Sequence, residues 1–385
     1  MTTPTLTDLT AVRAHVTGPA PEAVETLTRG LQEGLGRRQA AAVLYFASAA
    51  YDPTDLAGPL SARFPGACVI GCSSAGEFTD GAASTGGISA VAFPHGLMTR
   101  VIAVLADLSG DVVARTDAAV AEVEARVGCR LRDLDPAEHV AIVLIDGLHG
   151  AEEAVNERLG NAAPMLDIIG GSAGDDLAFE DTWVAVGDQV SRQGFALALC
   201  AVAVPFRIVK SCSFVPAPIE PLRITRADVV NRTVLEFDGR PAAQVYAEAV
   251  GASAADLDAS VWMKHPVGLM IDGQPWIRSP RTVAPDGGLA FYAQILEGME
   301  VQVMNPGDLV AETAAAVAGA RADLGGHVSG ALWFNCILRR LELDADGLTD
   351  DFLAALGGIP AAGFHTYGET WLGHINQTLT GVIFG

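Results

Sequence analysis

Two short stretches of this chain concentrate side chains that could do chemistry. The first, Gly71-Cys72-Ser73-Ser74-Ala75-Gly76-Glu77, follows an apolar run and sets a thiol, two hydroxyls and a carboxylate within seven positions. It is no phosphate loop, because that motif needs a lysine and the chain has only Lys210 and Lys264. Nor is it a nucleophile elbow, since Ala75 stands where GxSxG needs its second glycine. Cys72 or Ser73 would attack a substrate only beside a base, and no histidine is paired with them by spacing. The plainer use is a tight turn of small residues. Its backbone N–H groups could hold a carboxylate while Glu77 receives an ammonium. The second stretch, residues 363–380, carries His365, Tyr367, Glu369, His374, Asn376, Gln377 and Thr378. So many polar groups near a chain reversal either tie two bodies together or line a pocket, because buried polar groups must be hydrogen-bonded.

These residues need elements to hold them. Residues 21–32 have helical spacing, 40–47 read as a buried strand, and 52–63 as a helix opening on Asp52 and Pro53. Residues 67–71, 87–94, 99–105 and 140–146 are further strands, with a helix over 116–127. The nearly unbroken apolar run of 140–146 suits a strand covered by helices on both faces. Residues 163–175 resemble 64–77: in both, a proline precedes an apolar strand that ends in Ile-Gly-x-Ser and a small turn closed by Gly and an acid. Ser172 and Asp175 therefore match Ser73 and Glu77, at strand ends where α/β sheets bind ligands. Further on, 290–294 and 300–304 read as strands, 307–321 as an alanine-rich helix, 328–343 as one long strand and 349–356 as a helix. The expected fold is α/β and α+β: an N-terminal mixed-sheet α/β domain with an internal pseudo-repeat, and a C-terminal α+β domain with a largely antiparallel sheet. The expected boundaries are 1–34 for an N-terminal extension, 35–225 for the first domain and 226–385 for the second.

The composition excludes several roles. With 46 acids against 24 bases the formal charge is −22, which repels nucleic-acid backbones and anionic lipid surfaces. No apolar run is long enough to span a bilayer, and the first twenty residues lack a secretory pattern. The six cysteines form no CxxC pair, as expected of reduced thiols in a cytoplasmic protein.

Four motifs in order then carry a resemblance: GCSSAGE at 71–77, FDGRPA at 237–242, FNCILRR at 334–340, and GFHTYGE at 363–369 followed by HINQT at 374–378. Together they resemble FIST proteins, from about residue 35 to the end. The resemblance implies a non-enzymatic cytoplasmic sensor of small ligands that acts through a separate signalling partner, such as a histidine kinase, with a homodimer left open. Similarity in length and stand-alone architecture to the NosP-like members further implies haem b and nitric oxide. On that reading His374 is the first candidate for the haem iron, with His265 and His365 behind it, and Lys264, Arg339 and Arg340 would meet the propionates. A haem-free receptor for an amino acid or other metabolite would instead use Gly71, Cys72, Ser73, Ser74, Gly76, Glu77, Ser172 and Asp175. A hydrolase or transferase working through Cys72 or Ser73 is the third expectation.

Overall fold

A computed structural model describes residues 9–385. The buried strand Ala40–Ser48 pairs in parallel with Cys68–Ser74, and the helix Pro53–Arg63 crosses between them. Asp52 caps that helix through the Thr54 N–H at 2.9 Å, and Pro53 stands at its first position, where no N–H is needed. The same parallel pair recurs as His139–Ile145 with Asp167–Ser172, and as Gly330–Cys336 with Ala361–Thr366. In register, the last paired residues are Ser48 and Ser74, Ile145 and Ser172, and Cys336 and Thr366.

Each pair belongs to a longer unit of strand, helix, strand, helix, strand, hairpin and return strand. The first runs from Val12–Thr17 to Gly87–Pro94 and the second from Met98–Asp107 to Gly194–Val202. The third begins at Phe206–Ser211, is interrupted, and resumes from Leu309–Asp323 to Leu379–Phe384, with two short helices in place of one. In every unit the first strand lies antiparallel to the return strand, which lies antiparallel to the first strand of the parallel pair.

The hairpins are exchanged in a cycle. Glu77–Thr79 of the first unit extends the third unit's sheet beside Ala361–Thr366. Glu369–Trp371 of the third extends the second beside Asp167–Ser172, and Val184–Val186 of the second extends the first beside Cys68–Ser74. Three six-stranded sheets thus close into a ring. Their inner faces share one core in which Phe46 stacks on Phe364 with ring centres 4.6 Å apart and meets Phe334 edge-on. Separate apolar clusters lie under each unit's helices.

The interruption is a second body. Strands between Phe214–Pro216 and Glu300–Pro306 form a nine-stranded antiparallel-paired sheet with its own core around Phe237, Tyr246, Trp262 and Phe291. The α/β and α+β class holds, but the structure divides the chain differently from the expected boundaries. Residues 12–35 are no extension: Val12–Thr17 pairs with Gly87–Pro94, and the helix Ala20–Leu35 buries Val24, Leu27 and Leu31. The 225/226 boundary falls inside the strand Leu222–Asp228. The long strand expected over 328–343 stops at Cys336, and the helix Ile337–Asp346 follows, burying Ile337, Arg339 and Leu343. The internal repeat, expected twice, occurs three times.

Candidate functional site

The third copy of the repeat is Thr366-Tyr367-Gly368-Glu369, equivalent by register to Ser74-Ala75-Gly76-Glu77 and Ser172-Ala173-Gly174-Asp175, so Ser172 matches Ser74 and not Ser73, one position from the match expected by Ile-Gly-x-Ser. Its acid shows what the motif does. Glu369 is fully buried and accepts from Thr366 Oγ1 at 2.6 Å, Thr378 Oγ1 at 2.7 Å and the Thr378 N–H at 3.1 Å. Glu77 is likewise buried and accepts from Ser74 Oγ at 2.6 Å, Ser84 Oγ at 2.9 Å and the Gly87 N–H at 2.9 Å. Both carboxyls staple a strand end to the hairpin that follows. Burial pushes Glu369 up to about 7 and raises Glu77 above the usual carboxylate range.

Asp175 is used differently. It accepts from the N–H groups of Phe179, Glu180 and Asp181 and from the Tyr367 hydroxyl. The chain therefore wraps around this carboxylate, with Asp176, Leu177 and Phe179 at φ of 54°, 68° and 54°, a region that non-glycine residues rarely occupy. Phe179 lies on Tyr367, ring centres 5.0 Å apart and 23° from parallel.

This loop is one wall of a cavity of about 650 Å³ between the ring and the inserted body. From the ring come the loop 147–150 and Glu152, then Leu177, Phe179, residues 336–338, Tyr367 and Asn376. The inserted body supplies residues 230–232, Arg281, Phe291 and Tyr292. Two sets of contacts hold the bodies together beside it. Arg232 Nη2 bridges Glu152 Oε2, at 2.9 Å, and Glu153 Oε2, and Glu153 Oε1 accepts the Gln294 N–H at 2.6 Å. On the other side Ser279 Oγ donates to Gln377 Oε1 at 2.6 Å, Gln377 Nε2 donates to the Met263 carbonyl at 2.9 Å, and Trp276 stacks on Trp371 beneath the Lys210 ammonium. The polar C-terminal stretch therefore does both things its composition suggested: Gln377 ties the bodies together, and Asn376 lines the pocket.

The residues nominated from sequence scatter. Cys72 and Ser73 are wholly buried, and burial pushes the Cys72 thiol well above its ordinary range. Ser73 Oγ accepts the Trp183 N–H at 3.0 Å, and Ser172 Oγ donates to Glu152 Oε1 at 3.3 Å. Gly71 packs on the Tyr45 ring, where a β-carbon would lie 2.4 Å from Cε1. Gly76, at φ +110°, packs against His365 and Arg340. None of these lines the large cavity; of the nominated turns only Asp175 bears on it, through Phe179 and Tyr367.

The haem candidates do not fit a porphyrin as placed. A haem needs an imidazole with an open face in an apolar slot. His374 is 3% exposed, and a β-carbon on Gly368 would lie 2.0 Å from its Cε1. Burial lowers its pKa, and Nδ1 has no hydrogen-bond partner. His365 meets Asn335 Nδ2 through Nδ1 at 2.9 Å, lies tilted against the Phe78 ring, and lines a cavity of only about 130 Å³ together with Arg340. His265 Nδ1 faces the Met304 carbonyl at 3.2 Å. Lys264 is exposed on the inserted body, Arg339 is entirely buried against Asn335 and Thr313, and Arg340 pairs with Asp176 and Asp344. The cavity's own polar residues, Arg232, Arg281 and Tyr292, follow no motif. Of the lining residues not nominated from sequence, only the loop 147–150, at the end of a readable strand, had a local signal.

The model of the FIST N domain matches residues 41–240, and that of the FIST C domain matches 242–371. No curated protein matches the chain. Among solved structures it is similar to cyanuric acid hydrolase from A. caulinodans, at 12% identity over 97% of this chain and 98% of the other, TM-score 0.33. It is also similar to a chorismatase, at 11% identity over 98% of each chain, TM-score 0.34. Likenesses this distant do not bear on activity.

Proposed function

The chain belongs to the FIST family, whose domains are associated with small-ligand sensing in signal transduction, and from that premise we propose that its ligand binds in the cavity between ring and inserted body. The observation that supports this is the cavity's double ownership. Its walls come from both bodies, so an occupant that prefers one spacing between them shifts their relative position and passes a signal to a surface far from the site. The Arg232–Glu152–Glu153 bridge and the Ser279–Gln377 bond are the contacts such a shift would load. The protein acts in the cytoplasm and delivers its output to a separate signalling protein such as a histidine kinase. With a net charge of −22 it would present an acidic face to that partner, and docking would weaken with added salt.

Screening small metabolites by thermal stabilisation, then mapping a hit by hydrogen exchange, tests this assignment. A ligand should raise the melting temperature and protect residues 147–152, 176–181 and 230–232 together. Protection confined to one body would refute it.

The haem and nitric oxide alternative draws on a single observation, the buried and unpartnered Nδ1 of His374. A Soret band in protein purified with haem, shifted by nitric oxide and lost in His374→Ala but kept in His365→Ala, would establish it; colourless protein would end it. No buried thiol or hydroxyl reaches the cavity from Cys72 or Ser73, so the hydrolase reading has no support in the geometry.

A further inference from the structure

The geometry points to an amphipathic anion as the cavity's ligand: one carboxylate on a planar apolar body. This rests on the cavity being the ligand site and adds the chemistry it selects. Three charged side chains line the cavity: Glu152, Arg232 and Arg281. Arg232 bridges Glu152 and Glu153, and the buried Arg278 faces the second of these carboxylates, so those two cations and two anions cancel. Arg281 has no ion pair among the described residues. One cation is therefore left over.

A helix start reinforces it. The helices Glu152–Ala162 and Ile337–Asp346 both begin at the cavity wall, after Ala151 and Cys336, and neither has a side-chain cap. The first already carries Glu152 and Glu153 in its opening turn; the second has no acid there, and its positive end adds to the field of Arg281.

The rest of the lining specifies the body that carries the charge. Leu148, Leu177, Phe179 and Val230 come from three separate loops, and Val230 is 91% exposed. Converging exposed apolar side chains at a cavity mouth mark a surface that something covers. The near-parallel pair of Phe179 and Tyr367 offers a flat face to a ring. A single uncompensated cation suits a single carboxylate.

Benzoate, benzamide and benzylamine separate these requirements, because they share a ring and differ in charge. Titrated calorimetrically into the full chain, benzoate should bind at least about tenfold more tightly than either of the others, as expected for one charge-assisted contact. Arg281→Gln should weaken benzoate about tenfold while leaving the melting temperature of the ligand-free protein unchanged, since Arg281 is exposed. Equal binding of the three probes, or unchanged benzoate affinity in Arg281→Gln, overturns the choice of an anion. If benzamide or benzylamine then binds and Val230→Trp blocks it, the cavity still stands as the ligand site. If no probe binds, the anion assignment falls, and metabolite hits whose protection maps elsewhere would bring down the site itself.

Discussion

The turns after Cys68–Ser74 and after Asp167–Ser172 are copies of one motif put to opposite uses. In the first, the hairpin strand opens on the acid itself, at Glu77, and the carboxylate is consumed by Ser74, Ser84 and Gly87. Glu369 in the third unit behaves the same way. In the second unit the hairpin strand does not begin until Val184, and Asp175 instead organises the loop that carries Leu177 and Phe179 into the cavity. Where the repeat keeps to its pattern it is sealed and structural; where it departs, the backbone is strained and a cavity opens. The departure marks the proposed ligand site better than the motif does.

The sharpest way to break this contrast is Glu77→Ala. It strands the buried Ser74 hydroxyl and the buried Gly87 N–H and takes one partner from the half-buried Ser84, and should cost about 3–5 kcal/mol in chemical unfolding, or prevent folding. Next, Glu369 should make stability depend on pH. Its carboxyl titrates near 7 in the folded chain against 4.5 unfolded, so its contribution is fully present below 4.5 and lost as pH rises through 7. The change is ~3 kcal/mol at most, and Glu369→Gln should flatten it relative to the parent protein. Asp175→Ala should cost less, about 1–2 kcal/mol, because its three N–H partners are only partly buried; hydrogen exchange of residues 176–181 should nevertheless quicken sharply. Phe179→Ala, which removes a half-exposed ring stacked on Tyr367, should lower stability by only about 1 kcal/mol and weaken ligand binding more than it weakens the fold. Equal destabilisation by Glu77→Ala and Asp175→Ala would erase the distinction.

Strand ends were readable from sequence because unbroken apolar runs such as 140–146 can only be buried, and because Gly71–Ser73 and Gly170–Ser172 share their small residues. The third copy escaped because Tyr367 replaces alanine and the inserted body separates the third unit's first strand from the rest of it. The strand expected over 328–343 failed for a related reason: its apolar residues continue into Ile337 and Leu338, and composition alone does not show the chain turning at Cys336. Of the site, the polar C-terminal stretch was recognised as an interface or a lining, and it is both. Arg232, Arg281 and Tyr292 could not be seen. Residues brought together from separate loops leave no spacing to read.

The cyclic exchange of hairpins has a consequence for the chain as it is made. The strand Glu77–Thr79 waits for Ala361–Thr366, and the sheet begun at Asp167–Ser172 waits for Glu369–Trp371. None of the three units can complete its sheet from its own segment, so the first two units, which end at Val202, leave the ribosome with strand edges that only the third can cover. Synthesis must pass Glu369–Trp371 before the ring can close. Loss of even the final hairpin should therefore abolish the whole fold and not merely trim it, and the nascent protein should depend on chaperones for most of its translation.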